Sequence, residues 1–203
     1  MKRILVPLSL TLFLFSAVAD SGKDELMDQA KLLEKARDRA LPVVRTLARN
    51  LEGRLKEAMS EGGPTAAIKV CKEQALVLTR TVQEEHGIEY LKRIGIRIRN
   101  PQNEPDPAEQ RALDYFLEKE GKNGSYPEEW VDLVQVGGRK QVRYYRSIPL
   151  QARCLPCHGP EERMPASIRS VIDRLYPEDE ARGFEQGDLR GLMVVGLDIE
   201  SVK

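Results

Sequence analysis

Residues 153–160 read Arg-Cys-Leu-Pro-Cys-His-Gly-Pro, and this stretch limits the possible folds of the chain more than any other. Cys154 and Cys157 lie three positions apart, and His158 follows the second thiol directly. Two thiols and an imidazole so arranged call for a group that bonds to all three, and for a fold that keeps room beside them. Each part has a task if that group is a porphyrin. The thiols add across its two vinyl groups, the spacer matches the vinyl separation, and the histidine reaches the iron as proximal ligand. One covalent haem c is therefore expected, with Cys154 and Cys157 as attachment points and His158 on the iron.

Other uses of a C-x-x-C pair are weaker. A thioredoxin-like redox pair belongs with a βαβ pattern, whereas this motif follows a hairpin pattern. A structural zinc needs four ligands, and the three cysteines and two histidines, with Cys71 and His86 distant in sequence, do not have that spacing.

The N-terminus supports the haem reading. Lys2 and Arg3, an apolar run from Ile4 to Phe15, and Ala17-Val18-Ala19 form a secretory signal cut before Asp20. The apolar run is shorter than the about 20 residues of a membrane span. Residues 1–19 are thus expected to be a cleaved signal peptide, and residues 20–203 one exported, soluble, periplasmic haem domain with no membrane span. Haem c is attached outside the cytoplasmic membrane, so signal and motif agree. The 32 basic and 32 acidic residues balance, and loss of Lys2 and Arg3 leaves 30 against 32, a net of −2. That excludes a basic footprint for nucleic acid. Three cysteines in an exported chain leave one thiol, Cys71, over.

Within residues 20–61, Leu26, Ala30, Leu33, Ala36, Ala40, Val44, Leu47 and Leu51 recur at a helical period. A long helix is expected, kinked at Pro42 and ended by Glu61-Gly62-Gly63-Pro64. A second helix from Pro64 to about Glu85 places Ala67, Ile68, Cys71, Ala75, Leu78 and Val82 on an inward face, with His86 and Gly87 ending it. Alternation over Arg93–Arg99 predicts a strand. Asp106, Pro107 and Glu109 form a capping box for a helix to about Glu120. Gly137-Gly138 turns a β-hairpin, a helix covers about Pro165–Leu175, and a strand follows in the last segment. Early helices and later hairpin-linked strands point to an α+β fold, with residues 62–203 as its core.

On the far side of the iron, the residues leave several candidates. Met164 lies six residues beyond His158, too short a tether to round the porphyrin comfortably. Met59 and Met193 read as packing residues, and His86 as a helix terminus. Cys71 is the leftover thiol on an inward face, and thiolate is a strong donor to ferric iron.

Four segments, "AAIKVCKEQA" around Cys71, "GIRIRNPQNEPDPAE", "YYRSIPLQARCLPCHG" and "YPEDEARGFEQGDLRG", resemble a family of small c-type haem proteins with a PAS-like fold. The same domain serves as an extracytoplasmic sensor in some membrane histidine kinases. The resemblance covers about Gly62 to Val195. It implies an antiparallel PAS-like sheet with a long N-terminal helix and further helices around one covalent haem, and axial ligation by His158 and Cys71. The sensor versions carry a membrane helix and kinase module that do not follow Val195 here. Arg97, Arg99 and Asn100 are candidate contacts to the haem propionates, and Tyr144 a candidate packing residue on the porphyrin.

Two functions stand at this point. A low-potential electron carrier is expected from thiolate ligation, working with a redox partner protein. The alternative is a redox or diatomic-gas (CO or NO) sensor signalling through a separate partner, with a homodimer as one possible form. Peroxidase chemistry is weaker, because no distal acid–base pair is marked.

Overall fold

The computed structural model describes residues 12–121 and 124–202, and their side chains from residue 25 onward. The signal-peptide run and its cleavage point lie outside the described residues or within the part where only the backbone is described. Among the described residues no helix is long and apolar enough to cross a membrane.

Helix α1 (Leu12–Glu73) is two arms joined at a break. Gly62 (φ −146°, ψ 16°) and Gly63 (φ 65°, ψ −161°) leave the helical region, and Gly63 takes a left-handed φ that glycine adopts without strain. The chain reverses there. Arg54 reaches across to the Gln74 side chain at 2.9 and 3.0 Å, and Arg39 reaches the Gly87 carbonyl at 3.3 Å. The arm 64–73 and helix α2 (Ala75–Glu85) therefore return antiparallel along the first arm, an αα-hairpin. The helix does not break into two at Pro42: within α1 only Gly62 and Gly63 have non-helical dihedrals. Pro42 lies on the exposed side, while Ala40, Val43, Val44 and Leu47 are clamped in the core. That packing outweighs one missing backbone hydrogen bond.

The sheet contains β1 (Tyr90–Gly95), β2 (Glu129–Val136), β3 (Arg139–Pro149) and β4 (Leu189–Asp198). Its order is β1-β4-β3-β2, antiparallel throughout. The hairpin turns at Gly137 (φ 57°) and Gly138 (φ 78°) as the Gly-Gly pair requires. Side-chain alternation divides the sheet into two faces. Leu91, Val142, Tyr144, Val195 and Leu197 meet α1 and Val82 on one face. Ile94, Tyr145, Leu192 and Val194 meet Ala112, Leu113 and Phe116 of α3 (Pro107–Glu118) on the other.

Helix α3 begins with the expected capping box: Asp106 accepts from the Ala108 and Glu109 backbone, and Glu109 returns a bond to the Asp106 N–H. Both carboxylates also hold Arg143, which is 2% exposed, at 2.7 and 3.6 Å. The α3 side of the sheet is thus pinned by a buried ion network that includes Lys92 and the Tyr90 hydroxyl.

The first strand is earlier and shorter than the alternation over 93–99 predicts. It ends at Gly95, where β1 and β4 come very close. A Cβ on Gly191 would stand 1.9 Å from the Ile94 oxygen and 3.0 Å from the Gly95 Cα. Past that point the Arg97 carbonyl is taken by the Arg190 side chain at 2.9 Å instead of by a strand.

Two glycine substitutions separate these constraints. Gly191→Ala forces β1 and β4 apart and is expected to lose about 3 kcal/mol, the upper range for overpacking. Gly53→Ala, in α1 with nothing within 4 Å of the new Cβ, is expected to gain about 0.5–1 kcal/mol. Urea unfolding of both variants checks the pair.

Candidate functional site

The cysteine motif folds as a 3₁₀ turn over Ala152–Cys154 followed by the single-turn helix α4 (Leu155–His158). Pro156 fits in that first turn, where its missing N–H has no helical acceptor to lose. Gly159 ends it under a steric demand: a Cβ there would stand 2.7 Å from the Leu155 oxygen. The two thiols lean into separate apolar clusters. Cys154 packs against Leu150, Ala181 and Phe184. Cys157 packs against the cluster formed by Ile68 of α1, Met164, and Ile168, Ile172 and Tyr176 around α5 (Ala166–Leu175).

His158 sits between them with one nitrogen assigned. Its Nδ1 lies 2.8 Å from the Ala181 carbonyl oxygen. A carbonyl only accepts, so Nδ1 carries the proton and Nε2 keeps its lone pair. Burial, reinforced by Arg99 and Arg190, pushes the imidazole pKa down to about 3. The ring is a neutral, oriented nitrogen donor.

Arg99 holds that arrangement. It binds Asp179 through two nitrogens at 2.8 and 3.1 Å, and donates to the Cys157 carbonyl at 2.6 Å and the Ala181 carbonyl at 3.3 Å. Asp179 also receives Arg182 at 2.7 Å and the Ala181 N–H at 3.1 Å. Burial pushes Asp179 upward, but the hydrogen bonds from Arg99 and Arg182 outweigh it and hold the carboxyl below its usual range. Backbone bonds from Gly183 to Gly159 and from Phe184 to His158 press the segment 179–184 against the motif.

A cleft opens beside Cys154 and His158, walled by Ile94, Leu150 and the side chains of Arg93, Arg97, Arg99 and Arg190. Cys71 comes from the return arm of α1. The inward placement expected from the helical spacing is not observed: Cys71 is exposed, because the core side of this arm is filled by Ala67 and Ile68 a turn earlier. Even so, surrounding protein raises its thiol through desolvation, while Arg93 and Arg99 pull it down. Its charge is felt by Cys157 and Tyr176. Among the described residues no three His, Cys, Asp or Glu side chains converge as a metal-ion site.

The structure therefore brings Cys71, Cys154, Cys157 and His158 to one region and distributes the other candidates differently. Arg97 stacks on Phe184, 3.7 Å from the ring centroid, and Arg99 is engaged by Asp179. Asn100 caps a 3₁₀ turn by accepting from the Gln102 N–H at 3.0 Å. Tyr144 is fully buried on the α1 face and donates to Glu129 at 2.6 Å, a core role in place of the expected one on a porphyrin. Met164 is buried beside Ile68, and Met59 is exposed instead of filling a gap. His86 caps α2 as expected. Arg93, Arg190 and Asp179 are site residues that motif reading does not single out.

The residues present fit a covalently held haem. The Cys154 thiol and the His158 ring line the cleft, Cys157 is a free thiol one residue before that histidine, and the surrounding guanidinium excess suits an anionic group. A family model described as Tll0287-like matches residues 20–197. The crystal structure of the cyanobacterial heme-protein Tll0287 is similar, with a TM-score of 0.56 and 27% identity over 78% of this chain and 94% of that one. No curated protein sequence matches the chain. The α+β, PAS-like architecture expected from the sequence is the one observed.

Asp179 gives the site a pH signature. Its depressed folded pKa means that its stabilisation is fully present above the unfolded value near 4 and is lost as pH falls through the folded value. Asp179→Asn is expected to cost roughly 3 kcal/mol at pH 7, since it leaves Arg99 buried without its partner. The deficit should shrink on acidification toward pH 3, as measured by urea melts at both pH values.

Proposed function

The chain belongs to the Tll0287-like family, and from that premise we propose that it is an exported protein carrying one haem c for low-potential electron transfer. Cys154 and Cys157 would form the thioethers, His158 would be the proximal ligand, and Cys71 the ligand on the opposite side. The observation that carries this reading is the state of His158: half-buried, neutral, with Nδ1 given to Ala181 and Nε2 left as the donor in a cleft that Cys154 also lines. An outer-shell carbonyl of this kind fixes the tautomer and sharpens the basicity of an imidazole ligand.

Haem, when bound, supplies an iron that cycles between ferric and ferrous states. His158 would offer its Nε2 to that iron, and Cys71, from the return arm of α1, would offer its sulfur. Burial raises the Cys71 thiol on balance, and Arg93 and Arg99 offset only part of that, so a bound iron would be needed to hold it as a thiolate. A thiolate ligand favours ferric iron and lowers the potential. Export is supported by the N-terminal pattern and by the family match, which begins at Asp20, the residue after the expected cleavage point.

Expressed with haem-maturation machinery, the exported protein is expected to begin at Asp20 and to gain the mass of one haem. Cys154→Ala with Cys157→Ala should lose that mass. The oxidised protein should give a low-spin thiolate EPR signal that Cys71→Ser abolishes, and a midpoint potential well below the His/Met range. Identical spectra for the two proteins would remove Cys71 from the iron. Retention of both axial ligands on reduction supports the carrier, whereas CO uptake with a change of oligomeric state would favour sensing through a separate partner.

A further inference from the structure

Four arginines wall the cleft, and they are not equivalent. Arg99 is neutralised by Asp179 at 2.8 Å. Arg97 rests on Phe184 and donates to the Gly183 carbonyl at 3.3 Å. Arg93 and Arg190 have no carboxylate within 4.0 Å among the described residues. Asp179, the one acid whose charge acts on Arg190, is already shared by Arg99 and Arg182, and the groups that act on Arg93 are Cys71 and Tyr176.

Arg190 is held in place without being neutralised. Its Nη1 donates to the Arg97 carbonyl at 2.9 Å, and its guanidinium lies 5.3 Å from the Phe184 ring centroid. It crosses the end of β1 where Gly95 has no side chain; a Cβ there would stand 2.7 Å from Nη1. Nε and Nη2 have no hydrogen-bond partner among the described residues. Arg93 projects from β1 opposite Met193 and makes no hydrogen bond to a described residue. Burial lowers the pKa of both groups; for Arg190, repulsion from Arg99, Arg93 and Arg97 contributes and the value falls to about 10. Both guanidiniums are part-exposed to the cleft and neither faces a carboxylate, so a dianion in the cleft would meet them with charge-assisted, fork-shaped hydrogen bonds.

We infer that Arg93 and Arg190 form the receptor for the two propionate carboxylates of the porphyrin, while Arg97 and Arg99 secure the loops around it. The assignment rests on the haem reading above and replaces Arg97, Arg99 and Asn100, the residues suggested by strand alternation.

The test uses the haem-loaded protein and the propionate-bending bands of its resonance Raman spectrum. Arg93→Gln and Arg190→Gln are each expected to move a propionate band and lower the midpoint potential, because a carboxylate loses its counter-charge. Arg93→Lys and Arg190→Lys should restore the potential while leaving the band displaced, since an ammonium keeps the charge without the fork. Arg97→Gln should leave the bands in place. Unmoved bands in both the Gln and Lys variants of Arg93 and Arg190 overturn the assignment while haem binding stands. If a Gln variant does not accumulate with haem, the corresponding Lys variant decides by the same band. A wild-type protein that gains no haem mass overturns the parent reading, and this one with it.

Discussion

The ion pair between Arg99 and Asp179 is the interaction on which the site depends. Its two members are 80 residues apart, and both are almost wholly withdrawn from solvent, with side-chain exposures of 11% and 0%. Burying two charges is unfavourable unless the geometry is good and the remaining valences are used. Here they are: the guanidinium also takes two backbone carbonyls, and the carboxylate takes Arg182 and a backbone N–H. One of those carbonyls, Ala181, is the acceptor that orients His158. The imidazole is therefore aimed indirectly, by a charge pair that never touches it through a hydrogen bond of its own.

The sheet supports this arrangement by keeping its two faces chemically separate. The α3 face carries the buried Arg143–Asp106–Glu109 network and the stacked rings of Tyr115, Trp130 and Tyr145. The α1 face carries aliphatic packing against the long helix. The cleft opens where β1 runs out at Gly95 and β3 ends at Pro149, so side chains from loops and strand ends can enter without breaking a ladder. A site placed there inherits a rigid floor from the sheet and adaptable walls from the loops.

Local chemistry made much of this legible from the sequence. The capping box at Asp106, the Gly-Gly hairpin turn, the break at Gly62-Gly63 and the cysteine motif all act through neighbours a few residues away. The failures were of another kind. Alternation placed Arg97 and Arg99 on a strand, but the strand stops at Gly95, and beyond it a period of two no longer says where a side chain points. Arg190 reads as one more residue of the last strand because its role depends on an absent Cβ across the sheet. Tyr144 stands near the motif in sequence, yet β3 continues to Pro149 and its pleat sends that ring to the α1 core. Asp179 gave no signal, since a loop aspartate bonded to an arginine 80 residues away has no local pattern.

The reversal at Gly62-Gly63 turns the placement of Cys71 into a matter of angular phase. The return arm is helical from residue 64, and each residue between the turn and Cys71 rotates the thiol by about 100° and advances it about 1.5 Å along the axis. Identity alone is thus insufficient at this position. One residue inserted or removed within 64–70 would swing the sulfur to another side of the arm even with every cleft residue unchanged. The short count from the turn to the thiol works as a dial that sets the heading of the sulfur.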